Sequence, residues 1–236
     1  MTVETVEKNA NTLEKRPDEK EAKMSKSAQR TLKIAGAAIF GALSLIMSAF
    51  LTPILARIPG WQIAIFDPIS IVWITCFMIF GVEAGLMSLV IGAFGLLPFD
   101  PTAWLGPLMK FSATFSLLIV PIIVLKLYKR EEGTSNSKKL KDRKNFITCG
   151  ILGTVLRCIV MLILNIVVFL TIFSGYEAYV DLAFLGLPGI TSWTAIVIGV
   201  IIINAYQSVL DLLIPYIIVY GALDYGLKLD EKFEVW

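Results

Sequence analysis

The sequence predicts an all-α membrane protein: six transmembrane helices with both termini on the cytoplasmic side. Three observations predict it. The 236-residue chain is 56% apolar and only 17% charged, with a mean hydropathy of +0.76, whereas soluble domains carry about 25% charged residues. Its apolar residues fall into runs near the length of about 20 residues that a membrane helix needs. Its charges are segregated. Of 21 Lys and Arg, eight lie in the first 33 residues and seven more between Lys129 and Lys144.

The elements follow in chain order. Residues 1–32 are polar, rich in Glu, Lys, Asn and Ser, and read as a disordered or loosely helical cytoplasmic tail. They are not a cleavable signal peptide, which needs a short basic start followed at once by an apolar core. The membrane domain spans 33–226, with candidate helices at 33–57, 64–80, 82–98, 103–128, 146–172 and 196–225. Basic segments stay in the cytoplasm, which places the tail and the loop at about 129–145 inside. The intervals around Trp61, Asp100 and Tyr176 to Trp193 hold no Lys or Arg, and Arg57 is the one cation of the outer loops. An even number of spans then puts the short C-terminus, 227–236, on the same side.

Two details depart from simple lipid-facing spans. "FDP" occurs at Phe66–Pro68 and again at Phe99–Pro101. Asp is a good N-cap and Pro suits the first helical turn, so each marks a helix start. The helix after Pro68 reaches Gly81 in about 13 residues, or ~20 Å, too short to span alone. Such a segment must be packed within protein or beside a water-filled cavity. The outer side of the bundle is therefore expected to hold a cavity.

Polar residues inside the spans point to the same place. Counting at 1.5 Å per residue puts Lys110 about 10 Å below the outer start of its helix, near the levels of Asn165, Asn204 and Gln207. These four form a candidate polar layer for a ligand, and Trp61 and Trp104 could supply flat walls beside it. Phe66, Tyr176, Tyr179 and Trp193 could do the same, though aromatic residues also gather at membrane interfaces. A deeper layer pairs Arg157 with Asp211, which suits charges held away from water. This pairing leaves Lys110 with no carboxylate at its own level, pointing either into the pocket or up towards the headgroups.

Several chemistries are excluded. The chain has no histidine, so neither Ser-His nor metal-His chemistry is available. It has no G-x-x-x-x-G-K-[ST] loop to cradle ATP phosphates. Cys76, Cys149 and Cys158 form no C-x-x-C pair and read as small buried hydrophobes. No enzyme activity, cofactor, metal or nucleic-acid partner is expected. In the first helix, Ala37 precedes Gly41 by four residues and Ala38 precedes Ala42 by four. That spacing lets a second helix approach closely, whether from the same chain or a partner.

In order and spacing these segments resemble the substrate-binding S components of energy-coupling-factor (ECF) vitamin transporters, riboflavin-type. The resemblance covers roughly residues 33–226. It rests on six spans, Ala38 and Ala42 in the first helix, and "FMIFGVEAGLMSLVIGAFG" between spans two and three. "GPLMKFSAT", "GTVLRCIVMLILNIVVF" and "NAYQSVLDLLIPYIIVYGAL" complete it. It implies a multi-pass protein of the cell membrane that captures a vitamin, riboflavin foremost, from outside. It also implies docking through Ala38 and Ala42 onto a transmembrane T subunit driven by two cytoplasmic ATPase subunits, which alone bind ATP. In riboflavin-type members an Asn in helix five and an N-x-x-K in helix six contact the ligand. Asn165 and Asn204 match, and Gln207 stands at the Lys position. A carboxylate-bearing vitamin or precursor such as pantothenate would suit Lys110. A membrane scaffold and an autonomous secondary transporter are the competing readings.

The topology is testable by labelling in a background lacking the native cysteines. An impermeant thiol reagent added outside should modify Ala178→Cys and spare Ser135→Cys; the reverse pattern would overturn the orientation.

Overall fold

The computed structural model describes residues 25–51, 53–55, 57–58, 64–127 and 136–223. The chain divides into two units, Met1–Leu32 and Lys33–Trp236, and the packing and the cavity described below belong to the second. Residues 1–24, most of the expected polar tail, lie outside the described residues. Among the described residues there is no strand, only the isolated bridges Arg57–Ala64 and Asp181–Thr191.

The helices are α1 (Lys26–Leu51), α2 (Pro68–Phe80), α3 (Val82–Leu96), α4 (Leu105–Leu127), the short α5 (Asn136–Lys141), α6 (Arg143–Thr171) and α7 (Ser192–Tyr216). The last continues as a π-helical stretch, Ile217–Leu223. Four of them, α1, α4, α6 and α7 with its extension, are long and apolar enough to cross a membrane. This is a membrane protein. The exposed face of α6 carries Ile147, Ile151, Val155, Ile159 and Ile163 at intervals of four, a stripe that suits lipid tails rather than water.

The boundaries differ from the sequence expectation in an instructive way. The first helix begins at Lys26 rather than 33, because hydropathy marks the apolar segment while the backbone helix runs on into its polar flank. The fourth begins at Leu105 rather than 103. Asp100 Oδ1 accepts the Thr102 N–H at 3.0 Å and Ala103 takes a left-handed φ of 54°, so a turn delays the helix by two residues.

The α2–α3 pair is the centre of the fold. Asp67 caps α2, its Oδ1 accepting the Ile69 N–H at 3.1 Å, with Pro68 at the first helical position. The helix ends at Gly81, whose φ of 91° is a region that side chains other than glycine's rarely adopt. The chain then turns back on itself. A Cβ at Gly85 would lie 2.6 Å from Phe77 Cβ, and Gly92 meets the Trp73 indole. At 13 residues α2 is shorter than the four long apolar helices, and eleven of its residues are buried. It packs against α3, α4 and α7, while α6 packs against α4 and α7.

In α1, Gly36, Ala37, Gly41, Ser44 and Ser48 face inwards. Gly36 abuts Phe80 and Gly41 abuts Ile91. The Ala37/Gly41 spacing thus serves internal packing. Ala38 and Ala42 lie on the outward side and are exposed, in a face shared with Ile39, Leu43 and Ile46.

Candidate functional site

At one end of the bundle a cavity of about 430 Å³ opens among α2, α4, α6, α7 and the segment after α6. Two ion-paired groups shape it. The first begins on α6. Arg157 is 2% exposed, and its guanidinium is held on three sides. Nη1 lies 2.6 Å from Asp211 Oδ2, Nε donates to Asn204 Oδ1 at 3.1 Å, and Nη2 donates to Gln207 Oε1 at 3.0 Å. Positions 204, 207 and 211 recur at three- and four-residue steps, so one face of α7 presents all three acceptors. Burial at this level is inconsistent with a side chain reaching for the headgroups. Gln207 Nε2 in turn donates to the Ala64 carbonyl at 2.7 Å, tying α7 to the chain just before α2.

The second group is centred on Lys110. Its Nζ lies 3.3 Å from Asp67 Oδ2 and 3.7 Å from Asp100 Oδ2. The expectation that Lys110 lacks a carboxylate at its level is therefore corrected. Both partners come from the paired "FDP" segments. Each aspartate uses Oδ1 for its own turn and Oδ2 for the lysine: Asp67 Oδ1 takes the Ile69 N–H, and Asp100 Oδ1 takes the Thr102 N–H and hydroxyl. Because α4 starts late, Lys110 sits only five residues into it, about 7.5 Å from its start, and so meets the two aspartates. Gly106 makes room, since a Cβ there would strike the Asp100 carboxylate.

Of the residues singled out in the sequence, Lys110, Asn165, Asn204 and Gln207 all line this cavity, together with Arg157. The layering differs from expectation, because Asn204 and Gln207 spend their oxygens on Arg157 and join the deeper charge. Asn165 is 3% exposed and donates from Nδ2 to the Met161 carbonyl at 2.8 Å. That bond orients its amide and leaves Oδ1 with no partner among the described residues. Trp104 is 56% exposed and does not line the cavity, so the structure removes it from the candidate walls. Trp61 lies outside the described residues. Phe169, Phe173 and Tyr176 provide the aromatic wall instead, with Trp193 packed edge-on behind Phe169 at 6.4 Å between centroids. Tyr179 is exposed.

Sequence reasoning missed Asp67, Asp100 and the methionines Met109 and Met161 as lining residues. The repeated "FDP" was the available signal for the aspartates. Reading it as a helix start was correct for Asp67, whose Oδ1 caps α2, and is corrected for Asp100, whose Oδ1 holds a turn ahead of α4; it was silent about the second oxygen of each.

The deep network yields a prediction. Arg157→Ala and Asp211→Ala should each lower the unfolding free energy by about 3 kcal/mol, since each strands a buried charge, and the double variant should lose less than the sum. Strictly additive losses in a double-mutant cycle would show that the pair does not act as a unit.

No family model matches the chain, and no curated protein matches it. Among solved structures, the chain is similar to the S component of a bacterial ECF transporter, with a TM-score of 0.57 and 21% identity over 84% of this chain and 99% of that one. At that identity the likeness establishes a shared fold across nearly the whole of the solved protein.

Proposed function

We propose that this protein is the substrate-binding S component of an ECF-type transporter. It captures a vitamin, riboflavin foremost, in an outward-facing cavity for ATP-driven import. The observation that carries the reading is the cavity itself, set in the fold of an S component. It is apolar over most of its wall and holds a few oriented polar groups, the usual make-up of a small-molecule site. In this reading α2 and α3 count with the four long helices as six spans, both termini face the cytoplasm, and the protein resides in the cell membrane. It performs no chemistry on its ligand. Energy comes from a transmembrane T subunit and two ATPase subunits, met through the exposed Ala38 and Ala42, where small side chains allow close helix approach.

One experiment addresses capture and docking together. The purified chain in detergent should show an unfolding midpoint raised by about 5 °C or more by saturating riboflavin, in wild type and Ala42→Trp alike. Riboflavin uptake by cells should be lost in Ala42→Trp. No shift with riboflavin, thiamine, pantothenate or biotin would contradict capture and favour a scaffold. Undiminished uptake in the variant would remove α1 as the docking surface.

A further inference from the structure

Positive charge gathers at the end of the bundle away from the cavity. Between Lys126 and Lys144 the chain carries eight Lys and Arg against three Asp and Glu. Among the described residues of that stretch Asp142 is the only carboxylate, and its Oδ1 caps α6 by accepting the Lys144 N–H. α6 nevertheless opens on Arg143 and Lys144, with no acidic residue in its first turn. Cations are the wrong sign there, because the free N–H groups of a helix start already carry partial positive charge.

Packing brings a third cation to the same level. α4 and α6 run antiparallel: Leu117 meets Gly153, while Lys110 and Asn165 both reach the cavity. Nine residues on from the Leu117–Gly153 crossing α4 holds Lys126, and nine residues back α6 holds Lys144. Each lies about 14 Å from the crossing along its own helix. Lys126, Arg143 and Lys144 are all exposed, and none has an ion pair among the described residues.

Their surroundings are those of lipid. Arg143 stands four residues before Ile147, so it heads the exposed stripe of Ile147, Ile151, Val155, Ile159 and Ile163 on α6. Beside Lys126 on α4, Ile123 and Leu127 are exposed as well. The corner is also fixed in place. Tyr216 O–H donates to the Lys141 carbonyl at 2.9 Å, Asn145 Nδ2 donates to the Lys139 carbonyl at 3.2 Å, and Leu140 is buried. Phe146 and Tyr216 pack behind it with ring centroids 4.2 Å apart.

We propose that Lys126, Arg143 and Lys144 form a binding site for the phosphate of one anionic phospholipid, whose acyl chains lie along the apolar stripe of α6. The Arg143 guanidinium is a planar fork matched to phosphate oxygens, and the two ammonium groups add point charges. The phosphate also supplies the anion that the start of α6 lacks. A soluble phosphate would gain the charge contacts and nothing from the stripe, so the lipid is the occupant. The site does not depend on what the cavity binds.

The probes are phosphatidylglycerol and phosphatidylcholine, supplied in equal amounts to the purified full chain in nonionic detergent and counted by native mass spectrometry. Wild type should retain phosphatidylglycerol over phosphatidylcholine by at least about fivefold, the scale of one cation beside an anionic lipid. Arg143→Gln/Lys144→Gln should bring the ratio within about twofold of parity, and Lys126→Gln should lower it in the same sense. Lys26→Gln/Arg30→Gln removes as much charge from the first helix and should leave the ratio within about twofold of wild type. Without lipid, Arg143→Gln/Lys144→Gln should unfold at or above the wild-type midpoint, since two cations have left a helix start. A lower midpoint would show that these cations serve the fold, and would overturn the site. Parity in wild type, an unchanged ratio in the site variants, or equal losses in the first-helix variant would overturn it too. Displacement of the lipid by millimolar inorganic phosphate would do the same, by making the site one for a soluble anion.

Discussion

Everything in this fold depends on how a charge is kept inside an apolar bundle. An isolated ammonium or guanidinium away from water carries a penalty of several kcal/mol, and only a carboxylate with further hydrogen bonds offsets it. The protein solves this twice. Arg157 is surrounded by Asp211, Asn204 and Gln207 from a single face of α7, so the charge also fixes the register of α6 against α7. Lys110 lies between Asp67 and Asp100, each in a different connection, so the same lysine draws together the start of α2 and the turn before α4. The cavity is the space these two clusters leave between them.

The rest of the architecture makes this placement possible. α2 is a buried post whose capped start delivers Asp67 to the cavity and whose Gly81 end turns the chain into α3. Gly85 and Gly92 let α3 lie close against it, which keeps the 13-residue helix packed on all sides. Between α2 and α4, the Ser70 and Thr114 hydroxyls bond to each other at 2.8 Å, leaving no orphaned polar atom at that crossing. Gly153 on α6 meets the Leu117 carbonyl of α4, where a Cβ would stand 2.9 Å from the oxygen. Close approach at these points sets the width of the cavity.

Much of this was legible in the chain. The hydropathy runs located the helices, and the Asp-Pro start and Gly81 bounded α2 to its 13 residues. The three- and four-residue steps of Asn204, Gln207 and Asp211 placed them on one face of α7, and Asp211 was paired with Arg157, but Asn204 and Gln207 were assigned to the Lys110 layer and not to the guanidinium they hold. What was not legible depended on tertiary placement or on local turn geometry. The Asp100 turn with its left-handed Ala103 shifts α4 by two residues, and depth counted from the wrong start put Lys110 too far from either aspartate. Trp104 was read by proximity in sequence, but the same turn carries it outwards. An aspartate that caps a helix leaves its second oxygen free, and no pattern in sequence says where that oxygen points.

The central claim is that Lys110 is a compensated internal charge and not a surface lysine reaching for the headgroups. Equilibrium unfolding of the ligand-free protein in detergent, wild type against Lys110→Met, tests it most directly. Removing the ammonium strands the Asp67 and Asp100 carboxylates against each other, so the account predicts a loss of about 3 kcal/mol. Unchanged or increased stability in Lys110→Met would contradict it, because a lysine extended into the headgroups leaves nothing behind to strand.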